Sequence, residues 1–399
     1  MIAYLVVFLC AAATTFVVTP MIRRLVVRTG GIVQPGGRRV HTIPTPTMGG
    51  LAMYVGFLAA LGVSRLLPFF SRMNEGSPEP LAALLTCTLI VGLGAVDDKR
   101  GASAPAKLTA QIFIGGVLVL AGAQLVYFWL PVFGIVNVGR DLGAVLTISW
   151  VVLVANAVNL IDGLDGLAAG MVAIAAGTFF VYMSRSPSEF GSASPASLLS
   201  VIAAGICVGF LPWNFHPARI FMGDSGSMLL GMLLSIATIS GFGRNPYPPS
   251  GGDLAVIAIP IIVPLLVLAV PFLDVALAIA RRVRKGTGIS HADKEHIHHR
   301  LMDIGHTHRV AVLLMYLWSA LLAGSALAVG LIDGRLAVSV ILVVAGVLFL
   351  ITALPRLVRR PDSGGSPPGA PASPAGGGPV PRGAVGRPAP PAQAPGHAR

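Results

Sequence analysis

Residues 142–184 read LGAVLTISWVVLVANAVNLIDGLDGLAAGMVAIAAGTFFVYMS. Two apolar runs, 142–158 and 166–184, are joined by a short polar link that carries Asp162 and Asp165. Each run approaches the roughly 20 residues that a helix needs to cross the hydrocarbon core of a bilayer. An ionised carboxylate at the bilayer centre costs several kcal/mol, so the link belongs at a membrane surface. The stretch reads as two spans that turn back on each other at an acidic joint.

The rest of the chain repeats this plan. Hydrophobic residues make up 54% of 399 and charged residues only 11%, less than half the share typical of a soluble domain. Mean hydropathy is +0.80. The expected fold is an all-α polytopic membrane protein of about eleven spans. They run 2–22, 48–69, 80–96, 107–123, 142–158, 166–184, 197–213, 226–242, 254–280, 310–331 and 335–354. The segment 124–138 is too short and interrupted to span, and is expected at the outer interface. The first run has no basic stretch before it and ends at Arg23 and Arg24, which reads as a retained helix and not a cleaved signal. Cys10, Cys87 and Cys207 lie inside apolar runs without CxxC spacing and read as small buried hydrophobes.

The net charge of +12 could suggest nucleic acid, but the basic residues lie in loops between spans. Loops after the odd-numbered spans, with the tail, carry 22 of the 28 Lys and Arg residues. By the positive-inside rule that side is cytoplasmic, which puts the N-terminus outside and the C-terminus inside. Residues 1–355 form the expected membrane catalytic domain. From 361 to 399 the chain is Pro, Gly, Ala and Ser with a few Arg, and is expected to be disordered.

Polar motifs gather on the same inner side. The loops contain His41 to Gly50, Asp97-Asp98-Lys99-Arg100 with Lys107, and Asn156-Ala-Val-Asn159-Leu-Ile-Asp162-Gly-Leu-Asp165-Gly166. Next come Asn214 to Ser227, which includes Phe221-Met-Gly-Asp224, and the segment 281–309 with His296-Ile-His298-His299-Arg300. Adjacent carboxylates such as Asp97 and Asp98 repel each other and favour a bound cation. Oxygen donors without a Cys or paired-His zinc pattern point to Mg²⁺ or Mn²⁺, ions that share their shell with substrate phosphates. Lys107, Arg219, His298, His299 and Arg300 are suitable donors to a diphosphate. Asp274, inside the ninth span, reads as a structural ion-pair partner of Arg281 or Arg282, and Pro260, Pro264 and Pro271 as a kink.

These motifs resemble those of the polyprenyl-phosphate N-acetylhexosamine-1-phosphate transferases over residues 1–355. The resemblance implies a Mg²⁺ site at Asp224 with Asn159 as partner ligand. It implies catalytic roles for Asp97, Asp98, Lys107, His298, His299 and Arg300, with Lys107 on phosphate. Whether Asp98 serves as base, nucleophile or electrostatic element stays open. Substrate would be bound by Asn156, Asp162, Asp165, Asn214 and Phe221, with Phe221 stacked on uracil and Asp165 hydrogen-bonded to it.

The ending His298-His299-Arg300 is similar to the branch that transfers GlcNAc-1-phosphate from UDP-GlcNAc, including its actinobacterial decaprenyl members. The phospho-MurNAc-pentapeptide translocase branch, or use of another UDP-sugar, is the alternative. A transporter or flippase is a more distant one, because its ionisable groups would lie near the midplane. The implied partners are a UDP-sugar, a polyprenyl phosphate and the plasma membrane. Nucleic acid is excluded and a homodimer left open.

Overall fold

The computed structural model describes residues 1–33, 44–130, 134–185, 190–243 and 307–331, together with positions 343, 346 and 347. All of them fall in one compact unit, Met1–Val358. The described residues are mostly helical. Helices α1 (Ile2–Arg28), α2 (Gly50–Leu66) and the short α3 (Ser71–Gly76) are followed by α4 (Glu79–Arg100) and α5 (Ala104–Leu120). Then come α6 (Gly139–Ile161), α7 (Leu167–Met183), α8 (Pro195–Asn214), α9 (Gly223–Thr238) and α10 (His308–Leu331). Two antiparallel ribbons complete the described fold: β1 (Ile32–Val33) with β2 (Thr45–Pro46), and β3 (Tyr127–Leu130) with β4 (Gly134–Asn137). The second ribbon occupies the segment that was too short to span.

Five helices, α1, α4, α6, α8 and residues 308–325 of α10, are long and apolar enough to cross a membrane. A sixth is gained if α2 and the bent pair it forms with Pro68–Gly76 count as one span. Nine of the eleven expected segments fall on described helices. The run 254–280, Asp274, the tail 361–399 and all of the run 335–354 except positions 343, 346 and 347 lie outside the described residues.

Several boundaries differ from the sequence reading, each for a local reason. The run 48–69 does not continue as one helix, because Leu67 before Pro68 is extended (ψ 121°) and the chain bends by 86°. Helix α4 runs on past residue 96 to Arg100, where Gly101 ends it at φ +70° and donates its N–H to the Asp97 carbonyl. Asp97 and Asp98 are therefore helical residues and not loop residues. Helix α6 likewise extends to Ile161, so Asn156 and Asn159 stand on its last two turns.

Lipid-type packing holds the bundle, with small residues at the crossings. Helix α1 turns Tyr4, Val7, Ala11, Thr15 and Thr19 inward at helical spacing, and exposes Leu5, Leu9, Phe16 and Met21. A Cβ on Gly205 of α8 would lie 2.7 Å from the Phe8 carbonyl, so α1 and α8 approach to backbone contact. Helix α9 is buried along nearly its whole length, with α2, α4, α6 and α8 around it.

Candidate active site

The site is built where helix ends meet. After Gly101 the chain turns, and Ser103 caps α5 by accepting the Ala106 N–H at 3.4 Å. This reversal lays Lys107 back over the end of α4. Its Nζ is 2.8 Å from Asp97 Oδ2 and also donates to Asp224 Oδ2. Asp97 Oδ1 accepts the Ala102 N–H at 2.6 Å. Side-chain exposures of 16% for Lys107, 12% for Asp97 and 29% for Asp224 leave the group shielded but within reach of water.

Asp224 lies in the first turn of α9, where the positive end of the helix dipole favours a carboxylate. From α6, Asn159 Nδ2 donates to Asp224 Oδ1 at 2.8 Å and to Ser227 Oγ at 2.9 Å. Asn156, one turn earlier, donates to Gln111 Oε1 of α5 at 2.6 Å and to the Val152 carbonyl at 2.8 Å. Gln111 is fully buried and reaches on to Met228 Sδ at 3.3 Å. One linked set of polar side chains thus joins α4, α5, α6 and α9.

Asp98 faces a different way from Asp97. Its carboxylate accepts the backbone N–H groups of Asp224 (2.9 Å) and Ser225 (3.1 Å), and the hydroxyls of Ser225 (2.8 Å) and Thr47 (3.4 Å). Thr47 is held there by the strand-like segment before α2, which runs beside residues 221–222. Phe221 donates to the Pro46 carbonyl at 2.8 Å, and Gly49 and Gly50 donate to the Phe221 and Met222 carbonyls at 2.9 Å each.

A second cluster surrounds Asp165. The carboxylate is buried; Oδ2 lies 2.7 Å from His216 Nδ1 and accepts the Ala218 N–H at 3.0 Å. The His216 ring stacks on His308 of α10 with centroids 4.2 Å apart. Potential ligand atoms of Asp165, His216 and His308 all lie within 4.8 Å of one another. Asn214 ties this loop down: it donates to the Ile220 carbonyl at 3.0 Å and accepts the Gly166 N–H at 3.1 Å. Arg219 lays its guanidinium 5.6 Å from the Trp213 ring centre. Asp162, in the turn after α6, has no side-chain hydrogen bond among the described residues. Burial first, then the fields of Asp224, Asp98 and Asp165, push its carboxyl up to about 8.

Asp97, Lys107, Asn159 and Asp224 are therefore brought together, with Asp98 behind Asp224 and Asn156 one turn deeper. Asp165, Asn214 and the half-buried Phe221 form the neighbouring wall. His298, His299 and Arg300 lie outside the described residues. Thr47, Gln111, Ser225 and His308 were missed as site residues. Thr47 stood within a motif that had been singled out, but nothing in a Thr reveals that it will meet an Asp 51 residues away. His308 stood at the end of the segment 281–309, eight residues beyond the His296–Arg300 run that marked it.

Residues 80–242 match the family described as Glycosyl transferase family 4. The chain is 39% identical over 367 residues to a decaprenyl-phosphate N-acetylglucosaminephosphotransferase of Mycolicibacterium smegmatis, covering 90% of each chain. It is 37% identical to a probable undecaprenyl-phosphate N-acetylglucosaminyl 1-phosphate transferase of Bacillus subtilis, over 79% of this chain and 82% of the relative. A phospho-N-acetylmuramoyl-pentapeptide-transferase of Pseudarthrobacter chlorophenolicus is 34% identical over 58% of this chain and 75% of its own.

Proposed function

Because the chain belongs to glycosyl transferase family 4, we propose that it transfers GlcNAc-1-phosphate from UDP-GlcNAc to a polyprenyl phosphate in the membrane. An oxygen of the lipid phosphate attacks the sugar-proximal phosphorus. The bond from that phosphorus to the bridging oxygen breaks, and UMP leaves with the electron pair. The product is polyprenyl-diphosphate-GlcNAc, the opening membrane step of an envelope polysaccharide.

The observation that carries this reading is the set of Asp97, Lys107, Asn159 and Asp224 at adjoining helix ends. Phosphoryl transfer asks mainly for positioning and charge stabilisation, and these residues offer both. The donors are oxygen-rich and free of thiolate, which suits a hard divalent ion. Asp224 and Asn159 would hold Mg²⁺, or Mn²⁺ in its place, and the bound ion would offset charge on the diphosphate. Lys107 sits where its ammonium can pass from the two carboxylates to a phosphate oxygen. The lipid phosphate is already ionised near neutral pH, so this chemistry makes little demand for a strong base. Phe221 and the Asp165 wall provide the nucleoside end, and the His298–Arg300 segment supplies further donors to the diphosphate.

We place the site on the cytoplasmic face of the plasma membrane, within a domain of residues 1–355 that has eleven spans. The N-terminus is then outside and the C-terminal tail inside. The test uses purified full-length protein with polyprenyl phosphate, Mg²⁺ and either UDP-GlcNAc or UDP-MurNAc-pentapeptide. UMP release with UDP-GlcNAc is expected; release with the pentapeptide donor alone would overturn the assignment.

A further inference from the structure

A helix that begins at Gly223 leaves its first N–H groups without partners inside the helix. The usual remedy is a Ser, Thr, Asp or Asn at the cap position, whose side-chain oxygen accepts the second or third N–H. Helix α9 has Met222 at that position, and no side-chain cap bond is made there. The second and third N–H groups, those of Asp224 and Ser225, go instead to the two oxygens of Asp98 on α4. The Ser225 and Thr47 hydroxyls fill the remaining lone-pair directions. An ionised carboxylate has about four acceptor sites, and all four are taken.

We propose that Asp98 is a positioning residue, a cap delivered to α9 from another helix that aims Asp224 and takes no proton from the lipid phosphate. This rests on the transferase reading given above. Three features fit that role. A negative charge is favoured at a helix N-terminus. Gly223, at φ +71°, leaves room for the carboxylate, since a Cβ there would lie 2.5 Å from both Asp98 oxygens. Asp97, the neighbour one residue earlier, has its carboxylate on Lys107 beside Asp224, so the two adjacent acids divide two tasks.

The experiment compares full-length wild type with Asp98→Asn and Ser225→Ala. Ser225→Ala keeps both backbone bonds to Asp98 and serves as the variant that folds. UMP release is measured across pH with Mg²⁺ titrated, and hydrogen exchange is followed at residues 223–226. A positioning role predicts that Asp98→Asn lowers kcat by about 10²-fold. Its residual rate keeps the wild-type pH profile. Exchange at the Asp224 and Ser225 amides becomes about tenfold faster. Ser225→Ala shifts kcat and the Mg²⁺ requirement in the same direction, by less.

If Asp98→Asn removes the acidic limb of the pH profile while exchange stays as in wild type and Ser225→Ala is unchanged, Asp98 acts as a base and the proposal fails. Should wild type release no UMP from UDP-GlcNAc, the functional reading fails, and the exchange result still decides the capping role.

Discussion

Lys107 is the residue on which the site's charge balance turns, because one ammonium serves Asp97 and Asp224 together. Lys107→Met should lower kcat by about 10²-fold or more, as loss of a charge-stabilising donor does. The same change leaves two facing carboxylates uncompensated, so thermal stabilisation by added Mg²⁺ should grow relative to wild type. An unchanged Mg²⁺ effect would argue against a shared cation site. Asp162 makes a separate prediction. Its folded carboxyl holds its proton up to about 8, whereas the unfolded chain releases it near 3.8. Between those values the folded state binds more protons, so raising the pH costs stability, and the loss is complete above about 8. Without divalent metal, the wild-type melting temperature should fall from pH 6 to pH 9 more than that of Asp162→Asn. Equal slopes would refute the raised carboxyl. The sequence identified the acids, since charged residues at span ends stand out against apolar runs. It did not reveal that Asp97 and Asp98 point to different partners, which depends on 100° of helix rotation between neighbours and on where α9 lies.

At the scale of elements, two glycines of one helix have opposite surroundings. A Cβ on Gly94 would fall inside the Ser225 backbone, whereas a Cβ on Gly92 meets nothing within 4 Å. Gly94→Ala therefore forces α4 away from α9 and should cost about 1–3 kcal/mol as overpacking does, along with most of the activity. Gly92→Ala should be neutral or stabilise by up to about 1 kcal/mol, since it lowers the freedom of the unfolded chain. Melting temperatures in detergent check the pair, and equal shifts would contradict the α4–α9 contact. These surroundings are invisible in the sequence, where both glycines simply interrupt an apolar run. The positions of the nine expected runs that fall on described helices, by contrast, were legible from hydropathy alone. Their ends were not, because Gly101 and Pro68 act on backbone geometry and not on polarity.

For the molecule as a whole, the C-terminal ends of α4, α6 and α8 and the N-terminal ends of α5, α7, α9 and α10 meet on one face. Contacts prove the shared side: Thr47 reaches Asp98, Arg23 Nε donates to the Arg219 carbonyl at 2.9 Å, and His216 stacks on His308. The opposite face is marked by Tyr4, whose hydroxyl lies 3.0 Å from the Ser194 N–H, and by the β3–β4 ribbon. Arg23, Arg24, Arg28, Lys99, Arg100, Lys107, Arg219 and Arg309 lie towards the site face, against Arg65, Arg72, Arg140 and Arg185 towards the other. This asymmetry is what the positive-inside rule expects of the proposed orientation, with the site towards the cytoplasm. A membrane-impermeant maleimide should label Ser103→Cys only in inside-out vesicles and Ser192→Cys only in spheroplasts. Native Cys10, Cys87 and Cys207 lie within the helices and should stay unlabelled in both. Labelling of the two positions with the sides exchanged would invert the topology and place the acids away from a cytoplasmic nucleotide.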